Sequence, residues 1–117
     1  MRRGKEIAQG SHASMDFLVS PLRSMLKAST DTRCTVEITE VEKIWMIVGM
    51  AKICLQVSGE AELLSFHEKA LNAGLKSHLI RDSGRTEFGG VPTYTACAIG
   101  PDHSAVIDAV TGGLVLY

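Results

Sequence analysis

Four polar side chains of different chemistry recur at helical spacing near the start of the sequence. Lys5, Gln9, His12 and Asp16 follow one another in steps of three and four residues, so on a helix they form one narrow stripe. The stripe would place an ammonium, an amide and an imidazole near the electropositive start of that helix, where an anion such as a phosphate can bind. A solvated polar face, with His12 as a packing residue, accounts for the same pattern, so both interpretations stay open at this point.

A second polar cluster is the segment RDSGRTEFGG at positions 81–90. Asp82 ends a predicted strand, and ligand sites collect at such strand ends in open α/β sheets. A carboxylate can hold a water or an ammonium, the Thr86 hydroxyl can donate to a developing oxyanion, and the Arg85 guanidinium can reach a phosphate. The alternative is a turn capped by Asp82, with Gly84 supplying a positive φ. The segment matches neither a P-loop nor a dinucleotide-binding fingerprint.

The hydrophobic pattern predicts an α/β domain with helices on both faces of a sheet. Capping and periodicity signals predict helices at 5–19, 20–28, 41–48, 60–73 and from 102 to the Gly112-Gly113 pair. In particular, Thr39 and Glu42 form a capping box, Ser58 is the expected cap of the fourth helix, and Gly74 its left-handed end. Strands are expected at 51–57, 77–82 and 93–100, with the first two joined by a helix into a right-handed, parallel βαβ unit.

Composition limits the class of protein and its partners. The chain has 117 residues, 45% of them hydrophobic and 21% charged, and a net charge of −1, so we expect one globular domain over 1–117 with no global attraction to nucleic acid. Three cysteines without a C-x-x-C pair indicate free thiols in a reducing compartment. No metal-ligand spacing, signal peptide or transmembrane run is present in the sequence, so we expect a cytoplasmic protein with no membrane partner, no DNA partner and no cofactor.

Five blocks in order are similar to one known family. The blocks GKEIAQGSHASM, GMAKICLQV, GLKSHLIRDSGRTEF, PTYTACAIGPD and IDAVTGGLVLY resemble the archaeal and eukaryotic type of peptidyl-tRNA hydrolase, and we expect a bacterial relative of that type. The resemblance is weakest between Ser20 and Lys43. It implies a metal-independent esterase that cleaves the bond between a peptide's carboxyl group and the 3′-terminal ribose of tRNA, recycling the tRNA. It also implies a mixed four-stranded sheet, of which three strands are visible in the sequence, and a homodimer.

The resemblance also implies roles for individual residues. The family's Gly-Lys motif falls on Gly4-Lys5, and its Asp-x-Gly-x-Thr motif falls on Asp82, Gly84 and Thr86. Catalytic roles are implied for Lys5, Asp82 and Thr86, with Gln9, His12 and Gly84 supporting them. We expect Arg2, Arg3 and Arg85 to contact phosphates at the tRNA end.

One departure from the family pattern bears on function. Members begin with a hydrophobic strand ahead of the Gly-Lys motif, whereas Met1 stands three residues before Gly4 here, so we expect that strand to be missing. An upstream start, a shortened chain or a degenerate relative would each explain it. The functional alternatives are a domain of the same fold that binds tRNA without cleaving it, and a small α/β domain that binds another ligand.

Overall fold

The computed structural model describes residues 1–82 and 88–117, which form four helices and a two-stranded sheet. The helices are α1 (Arg3–Ala28), α2 (Glu40–Val48), α3 (Glu60–Asn72) and α4 (Ser104–Thr111); the strands are β1 (Ser77–Asp82) and β2 (Thr93–Ile99). A short 3-10 turn at Phe88–Gly90 precedes β2. The α/β class with helices around a sheet is therefore confirmed. No helix of these two described ranges is both long and apolar enough to span a membrane.

The sheet differs from the predicted one in number and direction of strands. β1 and β2 pair antiparallel, from Ser77 opposite Ile99 to Asp82 opposite Thr93. The predicted strand at 51–57 is wrong within the described residues: only Leu55 makes an isolated antiparallel bridge, to Leu116. Strand geometry persists where a neighbour accepts the ladder of hydrogen bonds, and this segment shares only two such bonds with the C-terminal residues. The parallel βαβ unit predicted on it is wrong as well.

Helices α1 and α3 pack on opposite faces of the sheet, as the alternation of side chains along the strands requires. On one face, Ser77 Oγ lies 2.7 Å from Nδ1 of His67 in α3 and 3.1 Å from Cys97 Sγ. On the other face, Asp82 and the small side chain of Ala13 in α1 are both buried. Each helix therefore contributes one layer, and the two strands form the layer between them.

A β-bulge in β2 directs the side chain of one residue, Thr95, to the face of the sheet that α1 covers. Ile80 pairs with Ala96 but Arg81 pairs with Tyr94, so Thr95 is the extra residue. A bulge of this kind re-aims the side chain of the inserted residue. Thr95 consequently reaches α1, where its hydroxyl donates to Gln9.

Helix α1 is one continuous element rather than the two predicted helices. Pro21 lies inside it, and Ser20 is not a cap. Proline within a helix loses one backbone hydrogen bond and costs about 3 kcal/mol. Pro21 lies with the buried Phe17 at the wall of a cavity shared with Leu75, and apolar packing there offsets part of that cost.

The capping box predicted at the start of α2 is confirmed. Thr39 Oγ1 accepts from the Glu42 N–H at 3.1 Å, and Glu42 Oε1 accepts from the Thr39 N–H at 2.8 Å. The other Glu42 oxygen lies 2.7 Å from Lys76 Nζ. Burial alone would raise the pKa of Glu42, but the hydrogen bonds from Lys76 and Thr39 outweigh it, so that pKa lies below its ordinary value. Glu42 thus fastens α2 to the turn that precedes β1.

The other helix boundaries were predicted closely, with one wrong cap. Gly49 follows α2, and Gly74 follows α3 with a φ of 79°, the left-handed conformation expected there. The N-cap of α3 is Gly59 rather than Ser58, whose N–H instead donates to the Glu62 carboxylate. Helix α4 begins at Ser104, two residues after the predicted start.

The C-terminal residues lie beside the start of α1. The Tyr117 N–H donates to the Cys54 carbonyl at 3.0 Å. A hydrogen bond from the Tyr117 hydroxyl to the Glu6 carboxylate raises the pKa of Tyr117 above its ordinary value. The extended tail predicted for LVLY therefore connects the 51–57 segment with the first turn of α1.

Candidate active site

An ion pair joins the start of α1 to the end of β1. Lys5 Nζ lies 3.3 Å from Asp82 Oδ1, and the two side chains are 23% and 3% exposed. The pair is in this position because α1 runs antiparallel to β1 across one face of the sheet, which brings the first turn of the helix to the last residue of the strand. Lys5 and Asp82, two of the three residues with implied catalytic roles, are therefore adjacent although they are far apart in the sequence.

Gln9 lies one turn further along α1 and is held by the bulge in β2. It is 6% exposed, and its Oε1 accepts a 3.0 Å hydrogen bond from the Thr95 hydroxyl. A buried amide without partners would cost one to a few kcal/mol, so this hydrogen bond both stabilises and orients it. Gln9 and Lys5 are four residues apart on the helix, which places their side chains next to each other on one face of it.

Lys5 and Gln9 of the polar stripe of α1 face the protein, whereas two apolar side chains of the same helix, Ile7 and Met15, face outward. The buried residues of α1 are Gln9, Ala13 and Phe17. In contrast, Ile7 and Met15 are 64% and 57% exposed. A helix ordinarily buries its apolar side, so a buried amide with an exposed isoleucine indicates that this packing serves the site as well as the core. The interpretation of the stripe as a merely solvated face does not hold for Gln9 or Lys5.

His12 is exposed and lies in the wall of a groove of about 400 Å³ between α1 and β1. This α1–β1 groove is lined from α1 by His12, Met15, Asp16, Val19 and Arg23, and from β1 by residues 79–81. His12 is therefore one helical turn past Gln9 rather than in contact with the ion pair. A larger cavity, of about 520 Å³, is lined by Phe17 and Leu75 but by none of the predicted site residues, so we do not assign the chemistry to it.

The five remaining predicted site residues lie either at the start of α1 or in the segment outside the described residues. Arg2 is the N-cap residue of α1, Arg3 is its first residue, and both are exposed. They surround the free N–H groups of the helix, so positive charge concentrates next to Lys5. Gly84, Arg85 and Thr86 lie outside the described residues, and their predicted roles stay predictions. Among the described residues, no group of three histidine, cysteine or carboxylate side chains is arranged to hold a metal ion.

Comparison with known proteins decides the family. The model of the family "Peptidyl-tRNA hydrolase PTH2" matches residues 1–117. The chain belongs to this family. It is 37% identical to a peptidyl-tRNA hydrolase of Aeropyrum pernix over 118 residues, which cover 100% of this chain and 86% of the relative. It is 34% identical to a peptidyl-tRNA hydrolase of Methanocaldococcus jannaschii, covering 99% of this chain and 89% of the relative. A probable peptidyl-tRNA hydrolase 2 of Dictyostelium discoideum is 36% identical, covering 100% of this chain and 49% of that longer protein.

Sequence reasoning missed three side-chain contacts around the strands of this PTH2 member. Thr95 orients Gln9, and Arg81 extends from β1 with its guanidinium 5.9 Å from the Tyr94 ring. The Tyr94 N–H donates to the Glu60 carboxylate at 2.7 Å, which ties the start of β2 to α3. Nothing in the local pattern TYTACAI distinguishes a bulge from regular strand, so only the three-dimensional register identifies Thr95.

Proposed function

We propose that this chain is an enzyme that hydrolyses the ester of peptidyl-tRNA, releasing free tRNA and peptide, with the reaction centred on Lys5 and Asp82. The observation that carries the proposal is the 3.3 Å ion pair between an ammonium and a carboxylate that is 3% exposed. The family and its relatives support the substrate, and the paired charges support the chemistry.

Asp82 and Lys5 have different proposed roles in ester hydrolysis. The Asp82 carboxylate, oriented by Lys5, accepts a proton from a water that attacks the ester carbonyl carbon. Lys5 stabilises the negative charge that forms on the carbonyl oxygen. When the carbonyl double bond forms again, the bond to the 3′-ribose oxygen breaks. The leaving oxygen takes up the proton that Asp82 accepted from the water, so the products are a carboxylic acid and a ribose hydroxyl and the Asp82 carboxylate is regenerated. A positioned base and an oxyanion donor are each worth ~10²–10³ in rate.

The remaining residues have proposed supporting parts. Gln9, fixed by Thr95, orients the substrate beside the ion pair, and the Thr86 hydroxyl is proposed as a second oxyanion donor. Arg2 and Arg3 are proposed to bind phosphates of the tRNA end, because guanidinium groups at a helix start attract anions. Each phosphate contact releases a counterion. Replacing both arginines with glutamine should therefore weaken binding and flatten its dependence on salt.

The function is tested by release of labelled peptide from an N-blocked aminoacyl-tRNA by this chain. Asp82→Ala should abolish release, while Asp108→Ala, at an exposed position of α4, serves as the matched control. Binding of the substrate without release by the unmodified chain would instead support the alternative of a tRNA-binding domain. Indifference to tRNA would favour a domain for another ligand.

A first strand ahead of α1 is a separate proposal, supported by the segment 51–57. Within the described residues the backbone–backbone hydrogen bonds of this segment all go to the C-terminal residues, and Ile53 is 74% exposed. A strand added on its other side would complete a ladder and cover apolar surface. A version of the chain extended upstream by such a strand should unfold at higher urea concentration and release peptide faster. Equal stability and activity of the two versions would contradict the proposal.

A homodimer and a cytoplasmic location are proposed from the family and from the surface. Ile47 and Val48 in α2 are 73% and 79% exposed, and exposed apolar surface favours association. Sedimentation equilibrium should give twice the mass of the chain, and Ile47→Lys with Val48→Lys should lower it; a monomer at all concentrations would contradict the dimer. That the chain is a bacterial, single-domain and metal-independent member of the family stays a prediction.

A further inference from the structure

The α1–β1 groove lies next to the proposed reaction centre. Neither Lys5 nor Asp82 lines it, but Arg81 of its wall directly precedes Asp82 in β1, and His12 lies two helical turns after Lys5 on the same side of α1. Because α1 and β1 are antiparallel, the groove continues along both elements toward Arg23. A substrate ester held at Lys5 and Asp82 would therefore extend one of its two substituents into this groove.

The wall that β1 contributes is the edge of a strand rather than its face. Leu79, Ile80 and Arg81 are consecutive and all line the groove, whereas a face would contribute alternate residues only. Within residues 1–82 and 88–117, β1 pairs with β2 alone, so its other edge carries no strand. A free strand edge presents N–H and C=O groups that an extended peptide can join by strand addition.

The lining favours a peptide over a nucleic acid as the occupant. Four of the side chains are apolar, namely Met15, Val19, Leu79 and Ile80, and a carboxylate, Asp16, stands among them. A carboxylate repels phosphate, and aliphatic side chains offer a phosphodiester chain neither charge nor hydrogen bonds. Arg23 and Arg81 also line the groove, so the apolar residues and the strand edge, rather than the charge of the lining, favour a peptide.

We propose that the α1–β1 groove binds the peptide part of the substrate in extended form, by backbone hydrogen bonds to the free edge of β1 at residues 79–81. This inference rests on the proposed function. Recognition through the backbone would suit a substrate whose peptide sequence varies, because main-chain groups are the same in every peptide. Three strand residues span about 10 Å, so the groove accommodates about three peptide residues.

The signature of strand addition is an alternating dependence on the peptide's own N–H groups. In a paired strand, successive residues direct their N–H and C=O groups to opposite sides. N-methylation at successive positions of a tetrapeptidyl-tRNA should therefore lower kcat/KM at alternate positions only, by roughly fivefold for each lost hydrogen bond. With unmodified peptides, kcat/KM should rise with peptide length and level off at about three residues. A flat response to both length and N-methylation would overturn the inference.

A groove variant gives an independent measurement. Met15→Trp should remove the gain in kcat/KM that longer peptides show and leave release from an N-acetyl-aminoacyl-tRNA unchanged. Val106→Trp, at an exposed position of α4, is the matched control and should alter neither. If Met15→Trp slows both substrates equally, the groove holds the tRNA end and the inference is wrong. Failure of the unmodified chain to release even the single amino acid would count against the proposed function itself, whereas release with no effect of peptide length would count against the groove alone.

Discussion

The ion pair between Lys5 and Asp82 should have separate effects on stability and on activity. At 3.3 Å and an effective dielectric constant of about 20, the attraction amounts to ~5 kcal/mol before the cost of desolvation is subtracted. Exposed pairs contribute up to about 1 kcal/mol, and loss of one partner of a buried pair costs about 3–5 kcal/mol. Because Asp82 is buried and Lys5 is 23% exposed, Lys5→Met should lower the free energy of unfolding by about 2 kcal/mol.

A double-mutant cycle measures this coupling. Lys5→Met leaves a buried carboxylate with one cation fewer, whereas Lys5→Met combined with Asp82→Asn removes the buried charge itself. Urea unfolding at pH 7 should therefore show the double variant to be more stable than the sum of the two single changes, by about 1–2 kcal/mol. Peptide release should be slower in all three variants than in the unmodified chain, because the proposed reaction needs both the Lys5 ammonium and the Asp82 carboxylate. Stability effects that add within about 0.3 kcal/mol would refute the reasoning.

Three further predictions follow from other described contacts. Thr95→Val should lower the free energy of unfolding by about 1–2 kcal/mol and slow peptide release, because it removes the donor to Gln9; Thr95→Ser should restore both in the same urea and release assays, and an unchanged Thr95→Val would contradict the positioning role. The pKa of Glu42 is lowered, so its contribution to stability is present above the ordinary carboxyl pKa and is lost as the pH falls through the lowered value. In urea titrations at several pH values, Glu42→Gln should therefore lose less stability in acid than the unmodified chain. An identical pH profile for the two proteins would show that Glu42 makes no such contribution. Burial raises the pKa of Cys97 against hydrogen bonds that lower it, so its thiol should react with iodoacetamide at pH 8 far more slowly than the exposed Cys54, as peptide mapping would show; equal rates would contradict it.

Local signals in the sequence predicted local structure well. The capping box at Thr39 and Glu42 and the left-handed Gly74 need only neighbouring residues, and both are present as expected. Pro21 was misread because its usual effect on a helix is opposed by the packing of its ring beside Phe17, which the sequence does not display. The segment 51–57 has the composition of a strand, but pairing depends on a neighbour elsewhere in the chain.

The site could be predicted only in part from the sequence, because its arrangement also depends on residues that are distant along the chain. The spacing of Lys5 and Gln9 indicated a common helix face, but the rule that a helix buries its apolar side does not identify that face as the buried one, because Ile7 and Met15 are exposed. The proximity of Lys5 to Asp82 followed from the family resemblance and not from spacing, because it depends on α1 crossing the sheet antiparallel to β1. The bulge at Thr95, which explains how Gln9 can be buried, has no recognisable sequence signal here.

The central claim is that Lys5 and Asp82 carry out hydrolysis of peptidyl-tRNA. The most direct measurement is the single-turnover rate of peptide release from an N-blocked aminoacyl-tRNA, with enzyme in excess, for this chain and for its folded Asp82→Asn variant. The account predicts release by the unmodified chain and a rate at least ~10² lower for Asp82→Asn, with binding of the tRNA retained. Equal rates for the two proteins would contradict it.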